Sequence, residues 1–469
     1  MCRAQKLKFS KYAHFLEKSD MVAIFHSLNR QILFVGVELL EKIKDYLLLS
    51  LGSSANSLDE ITSQVLSYLE QYRLLVPRED KEDMEIARIQ KKILRRPCID
   101  TLYLILTDNC NFGCSYCFFE GSYGSYGSAR RERTNMTNAT AILAIGKFSK
   151  FLKKAYQFSD FHPREPSVVF YGGEPLLNVD VFYRAVVEIN RLKANSELPA
   201  NLKININTNG SLISEQFAKF CTENSIEVDV SIDGYQSVHD ACRVLQDGKT
   251  GTFYSVMEGI KTLKRFGANV CVSCTISEQN VDNLPRIFEW FLDEAGINQI
   301  GFNPLLDSGK YQVQSPDYFK KVSASLIDCF KIARQRCIYE ARMMRKVKAF
   351  VQSEIYDRDC CGCGKQIVVR PDGKMGVCHA YSGTGDFFVE PDETFDPYTH
   401  PFWQEWSLRS PLNMSQCFDC EAVSFCGGGC AHNAHMRKGS IWEVDETFCV
   451  HAKESLRWLI WDLYEQTRQ

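Results

Sequence analysis

Three thiols, Cys110, Cys114 and Cys117, stand at C-x3-C-x2-C spacing in the stretch Thr107-Asp-Asn-Cys-Asn-Phe-Gly-Cys-Ser-Tyr-Cys117. Thiolates so spaced suit three irons of a [4Fe–4S] cluster, and because a structural cluster normally takes four cysteines, the fourth iron is left for an exchangeable ligand. Tyr116 sets an aromatic ring beside them. A zinc knuckle, or three buried cysteines, is the alternative that spacing alone leaves open. A second group lies far downstream: Cys360-Cys361-Gly-Cys363, then Cys378, then Cys417-x2-Cys420-x5-Cys426-x3-Cys430, and finally Cys449. Within it, Cys417, Cys420, Cys426 and Cys430 would also suit a Zn(Cys)4 ribbon.

Nine of the twenty cysteines fall between Cys360 and Cys449. The N-terminus lacks the long apolar run of a secretory signal, so a cytoplasmic location and reduced thiols are expected, which favours metal or cluster binding over a disulfide framework. The single cysteines elsewhere, such as Cys221, Cys274 and Cys329, read as small buried hydrophobes. With 469 residues, 45% of them hydrophobic, and a net charge of -3, the chain has core enough for two to four domains. No apolar stretch is long enough for a membrane span, and interspersed charge gives no broad case for nucleic acid. Arg130-Arg-Glu-Arg133 and Lys91 to Arg96 read as solvated surface.

The elements that must position these residues form a strand–helix alternation from Thr101. Strands are expected at Leu102–Thr107, Ser167–Tyr171, Lys203–Asn207, Glu227–Ser231, Asn269–Ser273 and Gln299–Phe302, with helices between them. Six such repeats predict an α/β fold, a parallel sheet curling toward a partial (β/α)6 barrel, with chemistry at the C-terminal strand ends. Polar residues do fall there: Gly172-Gly173-Glu174 after the second strand, Asn207 and Thr208-Asn-Gly after the third, Ser231-Ile-Asp233 after the fourth, then Arg243. The glycines would let backbone approach a ligand, Glu174 offers a carboxylate to an ammonium group, Ser231 and Asp233 suit hydroxyls, and Arg243 suits a carboxylate. Singly, each is also an ordinary turn residue, cap or ion pair.

Residues 1–96 read as a separate winged-helix-like unit and linker helix. Met21–His26 and Gln31–Val35 suggest a hairpin, Val37–Leu51 a helix, and a second helix runs from about Ser57, a candidate N-cap, to Arg73. Residues 97–310 would be the barrel and 311–469 the cysteine-rich domain. His379, His432, His435 and His451 lie near the downstream cysteines, but eight thiols already suffice, and Trp403, Trp406, Trp458 and Trp461 read as packing.

In their order, Cys110-x3-Cys114-x2-Cys117, Gly172-Gly-Glu-Pro, Thr208-Asn-Gly and Ser231-Ile-Asp-Gly resemble the core of the radical SAM enzymes. The resemblance implies that the open iron chelates S-adenosylmethionine, that Glu174 and nearby backbone, with Gly172 and Gly173, hold its amine, and that Arg243 with Ser231 holds its carboxylate. It further implies that Tyr116 lies on the adenine side and that Asn207 and Asp233 contribute to the cofactor site. The downstream cysteines are similar to the SPASM extension of that family. By that likeness Cys361, Cys363, Cys378 and Cys430 hold one auxiliary [4Fe–4S] cluster and Cys417, Cys420, Cys426 and Cys449 another, three clusters in all. Cys360 competes for a place in the first, and with one ligand fewer that cluster would keep an open iron.

The cofactor would then supply a 5′-deoxyadenosyl radical that takes hydrogen from an unactivated carbon, with the auxiliary clusters accepting the remaining electron. The implied function is a maturase that binds the leader of a ribosomally made precursor peptide through its N-terminal unit and installs cross-links, thioether C–S first and C–C second. A reductant such as flavodoxin or ferredoxin would deliver the electron. Formylglycine formation on a sulfatase-like protein is the alternative within the family, and a non-catalytic metal-bearing peptide adaptor is the alternative outside it. The N-terminal unit could equally be a structural cap or dimerisation module. The loop Gly121–Gly127 reads as a mobile cover.

Overall fold

The computed structural model describes residues 7–49, 59–92, 96–119, 133–158, 165–308 and 317–468. Ser57, the Gly121–Gly127 loop, Arg130 and the 310/311 boundary lie outside the described residues.

The N-terminal unit comprises β1 (Leu7–Phe9), β2 (Ala13–Lys18), β3 (Met21–His26), β4 (Ile32–Gly36), the helices Val37–Leu49 and Glu60–Gln71, β5 (Leu75–Pro77) and the helix Asp83–Lys92. The expected hairpin is β3–β4, with Arg30 at φ 64° in its turn. Sequence reading missed β2, whose Ala-His-Phe-Leu-Glu-Lys run carries only one fully buried residue, Leu16, and so lacks a clear apolar alternation. The second helix is capped by Asp59, whose carboxylate accepts from Thr62 N at 2.8 Å.

Pleating splits the β2–β3–β4 sheet into two apolar faces. Val22, Ile24 and Val35 pack on Leu40, Ile43 and Leu69 of the unit's own helices. Ala23 and Phe25 pack instead on Phe425, Leu456 and Ile460 of the cysteine-rich region. Arg30 fastens this contact, donating from Nη1 to Ala349 O at 2.5 Å and from Nη2 to Ser424 O at 3.0 Å.

All six expected parallel strands are present: β6 (Thr101–Thr107), β7 (Ser167–Gly172), β8 (Lys203–Thr208), β9 (Glu227–Ser231), β10 (Asn269–Ile276) and β11 (Ile300–Pro304). They lie side by side in chain order. Leu102, Leu104, Val168, Phe170, Ile204, Ile206, Val228 and Val230 are buried in the main core with the apolar faces of the intervening helices. The alternate positions, Tyr103, Tyr171, Asn205, Asn207, Asp229 and Ser231, form the inner face.

The downstream region continues this sheet. β12 (Gln366–Val369) pairs in parallel with β6, and β13 (Met375–Gly376) and β14 (Phe388–Val389) follow antiparallel. Cys363 and Cys378 therefore flank a hairpin built onto the strand that leads to Cys110. No described helix is long and apolar enough to cross a membrane.

Candidate functional site

The loop bearing Cys110, Cys114 and Cys117 leaves the C-terminal end of β6 and is held on both sides. On one side Gly173 N donates to Thr107 O at 2.9 Å and Glu174 N to Asn109 O at 2.8 Å. A Cβ on Gly173 would sit 2.2 Å from Asn109 O, and one on Gly172, at φ +150°, 2.5 Å from Thr107 O. The glycines thus admit the cysteine loop's own backbone, whereas sequence reading assigned the close approach to a ligand. On the other side Gly113 N donates to Val244 O at 2.8 Å and Ser115 N to Cys242 O at 3.0 Å, while Gln246 Nε2 reaches the carbonyls of Cys110 and Phe112 at 2.9 and 2.7 Å.

Glu174 is completely buried. Its carboxylate accepts from Leu176 N at 3.0 Å, Thr208 Oγ1 at 2.7 Å and Asn209 N at 2.7 Å, so it ties the end of β7 to the turn after β8. Burial pushes it up to about 7 against those bonds. With these donors in place, Glu174 fixes the backbone around Gly173. Asn209, the middle residue of Thr208-Asn-Gly, brings Nδ2 to 3.9 Å from Cys110 Sγ and to 2.8 Å from Asn111 Oδ1.

Tyr116, Asp233 and Arg243 are all buried and bonded to one another. The Tyr116 hydroxyl donates to Asp233 Oδ2, Arg243 Nε lies 3.1 Å from the same oxygen, and Thr275 N donates to Oδ1 at 3.0 Å. The guanidinium also lies 5.5 Å from the centre of the Tyr116 ring, a cation–π contact. His239 Nε2 and the Arg243 carbonyl share Thr252 Oγ1, at 3.0 and 2.9 Å. Bonded to one another, the three form an internal brace behind the cysteine loop. Arg243 favours the thiolate form of Cys114. Sequence reading missed Asn209, Gln246, His239 and Thr275; only the residue types at strand ends hinted at them.

Ser231 and Asn207 stay on the inner face. Farther along the same face Glu227, Asp229 and Cys271 bring ligand atoms within 4.8 Å of one another. Burial, and then Glu227, push the Asp229 carboxyl up to about 7. His379 stacks on Tyr103 at 5.1 Å and 14°, and burial pulls its imidazole down to about 4. Its Nδ1 has no hydrogen-bond partner among the described residues.

The downstream thiols converge as two sets. Cys417, Cys420, Cys426 and Cys449 line one small cavity with Met414 and Asp445. Cys360 is half-buried and Cys361 exposed; burial, then the charges of Cys363, Cys430, Cys378 and Cys361, oppose the ionisation of Cys360. Of the adjacent pair Cys360 is the less exposed, whereas the expectation from the sequence set Cys361 with Cys363, Cys378 and Cys430. Burial also pushes Cys110, Cys114, Cys378, Cys417 and Cys449 up to about 12. Thiols so gathered and so hard to ionise suit sites completed by a metal cation, which stabilises the thiolate directly. Trp403 and Trp406 are fully buried, and Tyr381 donates or accepts at His435 Nδ1 at 2.9 Å, consistent with packing and support.

A family model described as the radical SAM superfamily matches residues 104–291. The radical SAM cyclopropyl synthase TigE of Paramaledivibacter caminithermalis is 22% identical over 98% of this chain and 97% of its own. A cysteine-type anaerobic sulfatase-maturating enzyme of Clostridium novyi is 24% identical over 70% of this chain and 86% of its own. Among solved structures, Streptococcus suis SuiB bound to S-adenosylmethionine superposes with a TM-score of 0.54 at 14% identity, over 96% of this chain and 99% of that one. SuiB has also been solved with its precursor peptide SuiA.

Proposed function

We propose that this chain, a radical SAM enzyme related both to peptide maturases and to sulfatase maturases, oxidatively cross-links side chains of a ribosomally made precursor peptide. The observation that carries the reading is the grouping of the thiols: the Cys110 loop at the end of β6, Cys363 and Cys378 flanking the hairpin whose β12 pairs with β6, and Cys417, Cys420, Cys426 and Cys449 around one cavity. One [4Fe–4S] cluster and S-adenosylmethionine belong to the family's chemistry; we assign Cys110, Cys114 and Cys117 to that cluster. Cys360, Cys363, Cys378 and Cys430 would hold a first auxiliary cluster, and Cys417, Cys420, Cys426 and Cys449 a second.

Held by Cys110, Cys114 and Cys117, the cluster with S-adenosylmethionine would supply radical abstraction of hydrogen from an unactivated carbon. The chain's own residues aim and enclose it. Gly173 and Glu174 fix the loop's height above the sheet, Tyr116, Asp233 and Arg243 brace it from behind, and Asn207 and Ser231 on the inner face are available to hydroxyl groups. Tyr103, Tyr171 and His379 wall the lumen, excluding water from a reactive intermediate. Two four-thiol sites leave no open iron on the auxiliary clusters, which suits electron acceptance and therefore a net oxidation.

The precursor's leader is proposed to add along the outer edge of β4, which pairs only with β3 among the described strands. The match to the cyclopropyl synthase TigE spans 98% of this chain and so includes the N-terminal unit, whereas the sulfatase maturase matches 70% of the chain; this supports bond-forming chemistry over formylglycine formation. The test has two arms. Reduced, reconstituted full-length protein with S-adenosylmethionine should release 5′-deoxyadenosine; no release overturns the enzymatic reading in favour of an adaptor. Co-expressed with a precursor encoded beside it, the enzyme should return a peptide lighter by a pair of hydrogens per linkage. Thiol alkylation then separates C–S from C–C products, and an aldehyde-reactive product would favour formylglycine formation.

A further inference from the structure

Arg409 is among the largest completely buried side chains of the molecule. Its donors go entirely to backbone carbonyls: Nε to Ile441 O, Nη1 to Gly428 O at 2.5 Å and Gly429 O at 3.2 Å, and Nη2 to Glu443 O at 3.2 Å. No carboxylate lies within ion-pair distance of it among the described residues. The Asp445 carboxylate nearby is already engaged by Cys430 N at 2.9 Å and Thr447 N at 3.2 Å. A buried cation whose hydrogen bonds go only to carbonyls is costly, because dipoles replace only part of its hydration, and the Asp445 carboxylate offsets its charge without an ion pair.

Two of the four carbonyls it grips, those of Gly428 and Gly429, lie on the segment that joins the two thiol sets. Gly427, Gly428 and Gly429 follow one another at φ +79°, +83° and +65°, a left-handed run that carries the chain directly from Cys426 of one set to Cys430 of the other. Gly428 also lines the cavity shared by Cys417, Cys420, Cys426 and Cys449. Arg409 Nη1, on the Gly428 and Gly429 carbonyls, therefore stands beside that cavity and next to the residue preceding Cys430. Lys346 marks a contrast: its Nζ donates to Cys426 O at 2.7 Å and lies 3.6 Å from Asp359, so an ion pair meets its charge.

We propose that Arg409 is the shared counter-charge of the two auxiliary clusters and raises both of their reduction potentials. The inference rests on the three-cluster reading. A cluster held by four thiolates is anionic and gains a further negative charge on reduction. A fixed cation beside it stabilises the reduced form more, which makes each cluster a better electron acceptor. One guanidinium placed between the pair would raise both together.

The test is a redox titration followed by electron paramagnetic resonance on reconstituted full-length protein, wild type, R409K and R409Q, with iron counted in each. The signal that changes on adding S-adenosylmethionine belongs to the Cys110 cluster and serves as an internal reference. In R409Q both auxiliary clusters should be at least tenfold less reduced at the wild-type midpoint, about 59 mV for a one-electron couple. R409K should stay near wild type, and the reference should not move. Full iron with unshifted potentials in R409Q overturns the proposal, as does an equal shift in both variants. If R409Q instead loses auxiliary iron, retention by R409K supports a need for charge, and loss by both overturns it in favour of a purely structural clamp. Wild-type protein with about four irons, or with zinc, defeats the three-cluster reading itself, and does so before any variant is made.

Discussion

The thiols after β6 and the thiols after β12 are gathered by opposite means. Cys110, Cys114 and Cys117 belong to one short loop, and the surrounding fold only has to orient it, through Gly173, Glu174 and Gln246 on its flanks and the Tyr116–Asp233–Arg243 brace behind. The downstream thiols come from segments between Cys360 and Cys449 that touch only once folded, and Cys426 and Cys430, neighbours in sequence, face different sites. On the proposed assignment a local loop would keep one iron accessible. A site closed from all sides by distant segments is suited to hold a cluster that exchanges electrons and nothing else.

The most drastic way to break that contrast is to empty the local loop. Replacing Cys110, Cys114 and Cys117 together by Ala should reduce 5′-deoxyadenosine release to background, and iron should fall by about a third while the downstream sites stay filled. Concerted loss of all the iron would mean that the two regions are one cooperative metal site.

Ligand choice within the first downstream set sharpens the contrast next. Cys360→Ala should lower iron by about a third, with Cys361→Ala leaving it unchanged, because Cys360 is the less exposed of the two. Iron loss in the Cys361 variant alone would restore the assignment expected from the sequence.

That assignment shows where sequence reading stops. Strands β6 to β11 were legible because each is a short apolar run between turn signals, and the Cys110 loop because its motif is contiguous. The choice between Cys360 and Cys361 was not, since adjacent side chains differ only in the direction the folded turn gives them. Nor was the role of Glu174: a Gly-Gly-Glu triplet reads as a ligand grip, yet its carboxylate is spent on Leu176, Thr208 and Asn209, partners brought in by a neighbouring strand. β12 escaped for the same reason, as its Gln-Ile-Val-Val run gains meaning only by pairing with β6. The N-terminal unit was recognised by its order of elements, but its burial against Phe425, Leu456 and Ile460 follows from a sheet apolar on both faces.

Smaller perturbations probe how each region is held. Gly173→Ala puts a methyl 2.2 Å from Asn109 O, so the loop must shift while the auxiliary thiols do not feel it. Affinity for S-adenosylmethionine should fall at least tenfold, measured by equilibrium dialysis, with auxiliary iron unchanged. Arg30→Ala removes the bonds to Ala349 and Ser424 that fasten the N-terminal sheet to the cysteine-rich region. Apparent stability should drop by about 1–3 kcal/mol, and limited proteolysis should cut near the hairpin sooner. An unchanged cleavage rate would mean that the apolar face alone holds the unit.

The smallest expected effect concerns the barrel's inner face, whose polar floor contrasts with the cationic surroundings of the downstream thiols. Burial, with Glu227 beside it, holds the Asp229 carboxyl up to about 7, against an ordinary value of about 4. Between those two values the folded protein keeps a proton that the unfolded chain has lost, so this group's stabilising contribution, complete below about pH 4, fades as pH rises through about 7. Asp229→Asn removes the titration. Its stability relative to wild type should be lowest at pH 5 and should improve by pH 8 by roughly 2 kcal/mol, after a discount for partial exposure. Apparent melting temperatures of reconstituted protein at the two pH values measure the gap. If the gap is the same at both, Asp229 is charged throughout, and the lumen floor is as ionic as the region around Arg342, Lys346 and Arg409.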